Sequence, residues 1–459
     1  MQKGSLIKLA ALCGVPFIMV LGNSMLIPVF PQMQSDLGIT QLQVGLTITL
    51  FSIPAGLTIP ILGFVSDKIG RKKVIVPALI LYAIGGTVSG LAPLLMENPY
   101  NVLLAGRVIQ GIGAGGTGPI AMALVGDIFK GSERSQALGI IEAANGIGKV
   151  ISPIVGALIG LIIWYALFYV YALLAIPIAI GVWLAIKEPP LETKDRTFKK
   201  YVGNITTIFK QKGKTLLGCY AAGSVVLLVL FGVLSFLSDA LENEYGLTGV
   251  VKGFALAGPV LAMSATAFLS GRYLQNHMKK MKESIVLGLA MSVIALAMIT
   301  VIKNDIVFFA GLFFNGVGAG LVLPAVNTLI TSSAPLEERG GITALYGSVR
   351  FFGVAAGPPA FSSMLEVSRM FMFGSGAAMV ALSLALAAFT VNEKEIFDNQ
   401  AKGEEGDKVG DKQDKQDAQD TQDNDREEEN KVNWALAGTV SIIKRFIPKL
   451  RKREENKEE

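Results

Sequence analysis

A block of nearly continuous apolar sequence, residues 105 to 153, returns in unbroken register 205 positions later. Ala105 and Gly106 return as Ala310 and Gly311. Gly111, Gly113, Ala114 and Gly115 return as Gly316, Gly318, Ala319 and Gly320. Pro119 returns as Pro324, Glu133 and Arg134 as Glu338 and Arg339, Gly148 as Gly353, and Pro153 as Pro358. Whatever the first copy builds, the second must build again. Only 17% of the chain is charged, against about 25% in a soluble domain. The charge collects in a few loops and in the C-terminal region, leaving apolar stretches of about 20 residues, the length that crosses a bilayer as a helix. Duplicated blocks of membrane helices are how many secondary transporters build a site that opens to either side of a bilayer. Transport is therefore the first function the pattern implies.

Twelve candidate spans lie near 7–30, 42–65, 74–96, 101–124, 136–161, 165–186, 215–240, 250–272, 285–303, 306–331, 341–365 and 369–391. The first apolar run is much longer than the apolar region of a leader peptide and reads as a span. With the N-terminus inside, the inner loops between spans carry 19 Lys and Arg and the outer loops 3, which predicts cytoplasmic termini. The net charge of +5 then reflects loop asymmetry, and no nucleic-acid partner is expected. Cys13 and Cys219 fall inside apolar runs and read as small buried hydrophobes. The expected organisation is an N-terminal six-helix bundle (1–187), a basic cytoplasmic linker loop (188–214) and a C-terminal six-helix bundle (215–392). The repeat reaches beyond its main block, because Gly38-Ile39-Thr40 before span 2 matches Gly246-Leu247-Thr248 before span 8. Residues 393–431 are acidic and polar without an apolar period and read as disordered. Residues 432–459 carry Trp434, Leu436, Val440, Ile443, Phe446, Ile447 and Leu450 at roughly helical spacing, with Lys444, Arg445, Lys449, Arg451, Lys452 and Arg453 clustered at the end. That pattern is a basic amphipathic helix suited to the anionic inner leaflet, or else a frayed tail.

The inner loop after span 2 reads Gly63-Phe-Val-Ser-Asp67-Lys-Ile-Gly70-Arg71-Lys72-Lys73. Gly63 and Gly70 allow a tight turn between two helix ends, Asp67 places a negative charge at the membrane surface, and the basic run anchors the inside. This loop resembles the G-x-x-x-D-R-x-G-R-R-K signature of the major facilitator superfamily, with Lys68 in place of the usual Arg. The topology and the duplication agree with that resemblance over residues 1 to about 392. It implies an all-α membrane protein with two pseudo-symmetric six-helix bundles that rock about a site near the bilayer midplane. It also implies that Asp67 meets the positive N-terminal end of span 11, near Gly340-Gly341, and latches the inner gate. Asp127, at the inner end of span 4, is the expected partner of Arg71. The corresponding second-half loop keeps Gly271 and a basic end, Lys279-Lys280, but has lost the acid. The single histidine, His277, lies in that loop as a surface residue, and no set of residues offers metal-ligand spacing.

Span 4 carries Arg107-Val-Ile-Gln110-Gly111-Ile-Gly113, similar to the family's R-x-x-Q-G-x-G. A charge inside a span costs at least about 2.5–3.5 kcal/mol, so an intramembrane ion is a functional candidate by default. Arg107 is expected to face the central cavity with an acidic or polar partner, unless it snorkels to the outer surface. Span 5 carries Glu142, Asn145 and Lys149. Glu142 and Lys149 are seven residues apart and share one helix face, about 10.5 Å apart along the axis. Burial raises a carboxyl pKa and a nearby cation lowers it, which suits a proton carrier; a static pair is the alternative. The end of span 5, Gly148-x-x-x-Ser152-Pro153-x-x-Gly156-Ala157, resembles the G-x-x-x-G-P-x-x-G-G signature of drug-exporting antiporters, with Ser and Ala replacing two glycines. Its repeat in span 11, Gly353-x-x-x-Gly357-Pro358, is cleaner. Asn23 in span 1 stands where the family often has an acid, and Arg350 in span 11 is the repeat mate of Asn145. Phe231, Phe236, Phe313, Phe314, Tyr346, Phe351 and Phe352 are candidates for an apolar lining or for core packing.

The expectation is a plasma-membrane, proton-coupled exporter of amphipathic small molecules, similar to multidrug:proton antiporters, acting as a monomer. Arg107 would tune Glu142. Two other readings are a carrier of the same fold for an anionic or lipid-like metabolite, from Arg107, Lys149 and Arg350, and a membrane scaffold acting through its tail. No enzyme constellation is present. There is no phosphate-cradling Gly-Lys-Ser/Thr loop, so the proton gradient rather than ATP, and no cofactor, is expected to supply the energy.

Overall fold

The computed structural model describes residues 3–188, 198–334 and 339–397. The expected disordered tail beyond 397, the amphipathic helix at 432–459 and Glu338 of the repeat lie outside those residues. The described chain is an all-α membrane protein with twelve helical spans. Eleven are long and apolar enough to cross a bilayer by composition alone. The remaining one, span 11, is the 29-residue helix Arg339–Val367, whose glycines, Pro358, Pro359 and Arg350 lower its hydropathy without shortening it.

Three of the twelve spans depart from single straight helices, which the sequence did not anticipate. Span 1 runs as a helix Lys3–Ser24, a 3₁₀ turn Ile27–Val29 and a helix Phe30–Leu37. Span 4 is Tyr100–Gly115 followed by Gly118–Ile128, with the break at Gly116 and Thr117. Span 7 is longer than its apolar stretch. One helix runs Phe198–Asn243 with non-helical angles at Lys212 alone, so the second part of the linker, expected as a loop, is helical. The first residues after span 12 also fold back, with Ile396 fully buried.

The repeat preserves helix ends and helix contacts. Gly38 and Gly246 have φ of +61° and +64°, the left-handed turn that admits glycine most readily, and each is followed two residues later by the Thr that begins the next span. A Cβ added at Gly111 would strike the carbonyl oxygen of Phe51, and one at Gly316 that of Pro259. These are the same approach of span 4 to span 2 and of span 10 to span 8. Gly113 against Ala78 and Gly318 against Gly288 repeat the approach to spans 3 and 9. Small residues at such crossings let backbones touch where lipid leaves packing as the driving force.

Two interfaces related by the repeat join the bundles. Span 2 (Gln41–Ile69) and span 11 are in contact along their length. Gly45 meets Pro358, Thr49 Oγ1 donates to the Ala355 carbonyl at 2.7 Å, Gly56 meets Phe352 and Ser348, and Gly63 approaches Ala344 at 4.0 Å. Span 5 (Gly131–Gly160) and span 8 (Gly249–Gln275) meet at the end away from the basic loops, where Gly253 lies against Pro153, Ile154 and Ala157. Gly253 is the repeat mate of Gly45, and Pro153 that of Pro358, so this end is closed symmetrically. Ser238 Oγ donates to the Ile27 carbonyl there at 2.6 Å. At the basic end the symmetry fails. A Cβ added at Gly139 or Gly146 of span 5 would meet nothing within 4 Å, so the stripe of span 5 that touches span 8 at one end faces open space at the other.

Candidate functional site

Glu142, Gly146, Lys149 and Pro153 follow one another at helical spacing on span 5. Pro153 is held against span 8, and the other three continue the same face into the open cleft. Glu142 is exposed, while Asn145 and Lys149 are half-covered. The charged side chains that act on Lys149 are Glu142 on its own helix and Arg350 of span 11. No salt bridge joins Glu142 to Lys149 among the described residues, so they are electrostatic neighbours and not a closed pair. Arg350 lies with its guanidinium carbon 5.5 Å from the Tyr346 ring, and Tyr346 stacks on Tyr220 of span 7 with ring centres 5.7 Å apart. Asn145 Oδ1, Arg350 Nε and the Tyr346 hydroxyl are buried without a hydrogen-bond partner. Two cations and one carboxylate thus gather between the bundles, with Asn145 Oδ1 and Arg350 Nε unsatisfied beside them, in a cleft open at the basic end, while the Tyr346 hydroxyl lies against Gly223 of span 7.

Arg107 is elsewhere. It has no accessible surface and sits inside the N-terminal bundle instead of facing the cleft. Its Nε donates to the Thr47 carbonyl at 3.0 Å, Nη1 to Gln110 Oε1 at 2.6 Å and Nη2 to Asn23 Oδ1 at 3.0 Å. Asn23 in turn donates to Ser52 Oγ at 2.9 Å, and the guanidinium carbon lies 4.3 Å from the Phe51 ring. The ionisable groups that act on it are Tyr82 and Tyr171, and Glu142 is not one of them. The expected cavity set therefore divides: Glu142, Asn145, Lys149 and Arg350 share the cleft, while Asn23, Arg107 and Gln110 form a separate buried cluster. The reason is the branching of polar partners. Spans 1 and 2, with Gln110 of span 4 itself, supply enough neutral acceptors to satisfy a guanidinium fork within one bundle.

The loop motif forms a compact charge network. Arg71 Nη1 reaches Asp67 Oδ1 at 2.8 Å and its Nε donates to Asp127 Oδ2 at 2.5 Å. Gly70, at φ +112°, turns the chain into span 3. Asp67 comes near the start of span 11 through Tyr201 of the linker helix, which packs on Phe64 and under Gly341 and lies within electrostatic reach of Asp67. Glu188, which carries no motif, closes this network. Its carboxylate accepts from the backbone N–H groups of Arg71 and Lys72, at 3.3 Å for the latter, capping span 3. Its one signal in the sequence is that of a lone acid between the end of span 6 and Pro189-Pro190. Lys252, counted with an outer loop, is instead buried in the first turn of span 8 and pairs with Glu242 at 2.7 Å. In the packing motif, Ser152 Oγ donates to the Gly148 carbonyl at 2.5 Å. Gly156 lets span 5 touch span 1 at Met25, and Gly357 lets span 11 touch span 7 at Leu228. Of the candidate aromatic lining, Tyr346 stands beside Arg350. Phe236 packs with Phe308 and Phe373, and Phe314 lines an apolar groove between spans 9 and 10 with Met291, Ile294 and Met298.

Comparison with known proteins places this architecture. The family model described as Major Facilitator Superfamily matches residues 12–358. The Bacillibactin exporter of Bacillus subtilis (strain 168) is 40% identical over 392 residues, covering 84% of this chain and 97% of the relative. Multidrug resistance protein 1 of the same organism is 24% identical over 382 residues, 81% of this chain and 93% of the relative. A bacterial homolog of the human lysosomal transporter Spinster, solved in an inward-facing, unoccupied conformation, superposes with a TM-score of 0.68 at 17% identity, covering 87% of this chain and 98% of that one. The chain belongs to the Major Facilitator Superfamily and is a multi-pass membrane transporter, not an enzyme.

Proposed function

We propose that this protein is a proton-coupled exporter of amphipathic small organic molecules, acting by alternating access in the plasma membrane with both termini cytoplasmic. The observation that carries the reading is Glu142, exposed on the face of span 5 that is closed by span 8 at one end and open at the basic end. A carboxylate there meets water from one side at a time, which is what a proton carrier between two compartments requires. Export is favoured by the 40% identity to an exporter over nearly its whole length. Proton and cargo are linked where they draw on the same charges. If the cargo takes the ionised Glu142, proton and cargo exclude each other, and binding weakens as pH falls.

Lys149 and Arg350 favour a second reading, a cargo that carries an anionic group. Two cations face one carboxylate, and Arg350 Nε lacks a partner. Protonating Glu142 then removes the negative charge beside Lys149, and binding tightens as pH falls. The sign of the pH dependence separates the two. Purified protein in proteoliposomes, offered bacillibactin or a cationic amphipathic dye, is the test. Glu142→Gln should abolish pH-driven transport of either and flatten the pH dependence of binding. Intact pH-driven transport by that variant would remove Glu142 from the mechanism.

A further inference from the structure

The repeat relates the inner loop after span 2 to that after span 8, and the two have opposite fates. In the first, Arg71 is neutralised by Asp67 and Asp127. At the equivalent second-half positions Arg71 becomes Lys279, Lys72 becomes Lys280, Asp67 becomes Gln275 and Asp127 becomes Ser332. Both acids are gone while the cations remain, and Arg272 is added. Arg272, Lys279 and Lys280 are all exposed, and among the described residues none has a carboxylate within salt-bridge distance. Glu283, in the first turn of span 9, is the acid that acts on Lys280, and in the sequence it follows further cations, Lys279 and Lys282. The cations are not spread at random. Lys280 Nζ donates to the Tyr273 hydroxyl at 3.2 Å, and the Tyr273 ring is stacked by His277 with centres 4.3 Å apart. One turn earlier on span 8, Phe268 and Leu269 are each 65% exposed, the apolar surface that a bilayer covers. An exposed aromatic and three cations therefore sit where acyl chains end and headgroups begin.

We infer that Arg272, Tyr273, Lys279 and Lys280 form a binding site for the headgroup of an anionic phospholipid, which supplies the negative charge that Asp67 and Asp127 supply in the other half. The positive-inside rule accounts for cations at this end of the molecule, but not for the loss of both carboxylates at repeat-equivalent positions. A lipid phosphate does, because the cations flank its oxygens while its chains lie along Phe268 and Leu269. Free phosphate would use the same cations but has no use for the apolar wall, which is why a lipid is the committed ligand.

The test uses the full chain in nanodiscs of phosphatidylcholine with increasing phosphatidylglycerol. Lipid retained through delipidation is counted by native mass spectrometry, and thermal stability is measured alongside. Each basic residue near an anionic surface is worth about fivefold in affinity, so R272Q/K279Q/K280Q should lower phosphatidylglycerol affinity by up to about 100-fold and erase its stabilising effect. R272K/K279R/K280R should keep both. Retention of the phosphatidylglycerol effect by the Gln variant overturns the site. So does an equal loss in K8Q/K130Q/K187Q, which removes three basic residues from elsewhere at the same end. Equal stabilisation by glycerol phosphate in pure phosphatidylcholine would overturn the lipid as its ligand.

Discussion

A guanidinium with no accessible surface and, among the described residues, no carboxylate partner is costly to bury. What offsets the cost is geometry: three hydrogen bonds from three nitrogens to Thr47, Gln110 and Asn23, and the face of Phe51 at 4.3 Å. Charge-assisted bonds of this kind are worth about 1.5–3 kcal/mol each. A lysine has one nitrogen and cannot serve three acceptors in a plane. Arg107→Lys should therefore destabilise the protein by about 2–4 kcal/mol, read as a fall in melting temperature in detergent, while leaving the pH dependence of cargo binding intact. A shifted pH profile with unchanged stability would place Arg107 in the coupling chemistry. That an intramembrane arginine mattered was legible from one residue type in an apolar run. Asn23 and Gln110 were singled out as well, but for the cavity; that they close on Arg107 was not legible, because neutral side chains on different spans carry no pairing signal, and Thr47 and Ser52 carried none at all. Glu142, Lys149 and their shared face were legible, because helical spacing alone fixes that relation. Arg350 was flagged as the residue that breaks the repeat and as a cation for an anionic cargo, and its place beside Lys149 is a matter of how the bundles dock.

At the scale of the helix, the glycines of the repeat are contacts written in sequence. Gly111 and Gly316 each bring span 4 or span 10 onto a backbone carbonyl of span 2 or span 8. Gly111→Val and Gly316→Val should each cost about 1–3 kcal/mol or more, by overpacking at equivalent places. Gly139→Val, at a position with nothing within 4 Å, should be tolerated, with stability unchanged in the same melt. Equal tolerance of all three would mean that the helix crossings are looser than these contacts. The helical linker was not legible. Its sequence from Phe198 is polar and basic, with the hydropathy of a loop, and what orders it is tertiary. Tyr201 and Phe209 find aromatic partners in Phe64 and Tyr220, and Lys212 Nζ caps the Ser333 carbonyl at 2.7 Å where span 7 bends. Tyr201→Ala removes the ring between Phe64 of one bundle and Gly341 of the other. It should loosen the basic end and raise the rate at which a cysteine placed at Gly63 reacts with a membrane-impermeant maleimide.

For the whole molecule, the two interfaces that the repeat makes equivalent are not in the same condition. Span 2 lies on span 11 from end to end, while span 5 and span 8 meet toward the far end, where Gly249 lies on Leu161 and Gly253 on Pro153, Ile154 and Ala157, and part beside Gly139 and Gly146. A Cβ added at Gly253 would lie 2.9 Å from that of Ala157, so a shift of about 1 Å brings a cysteine pair there into disulfide range. With Cys13 and Cys219 replaced, oxidised A157C/G253C should transport at no more than background and recover on reduction, because alternating access needs this contact to part. Undiminished transport by the oxidised protein would mean that the contact stays closed throughout the cycle. The amino-acid order alone determined the spans, their duplication and the helix faces, because hydropathy, glycine spacing and helical period are local and survive in one dimension. Which charges share a cleft, which are sealed inside a bundle, and which of two equivalent interfaces stands open were decided only in the tertiary structure. Those depend on how helices far apart in the chain satisfy one another's polar groups and on how the two bundles dock.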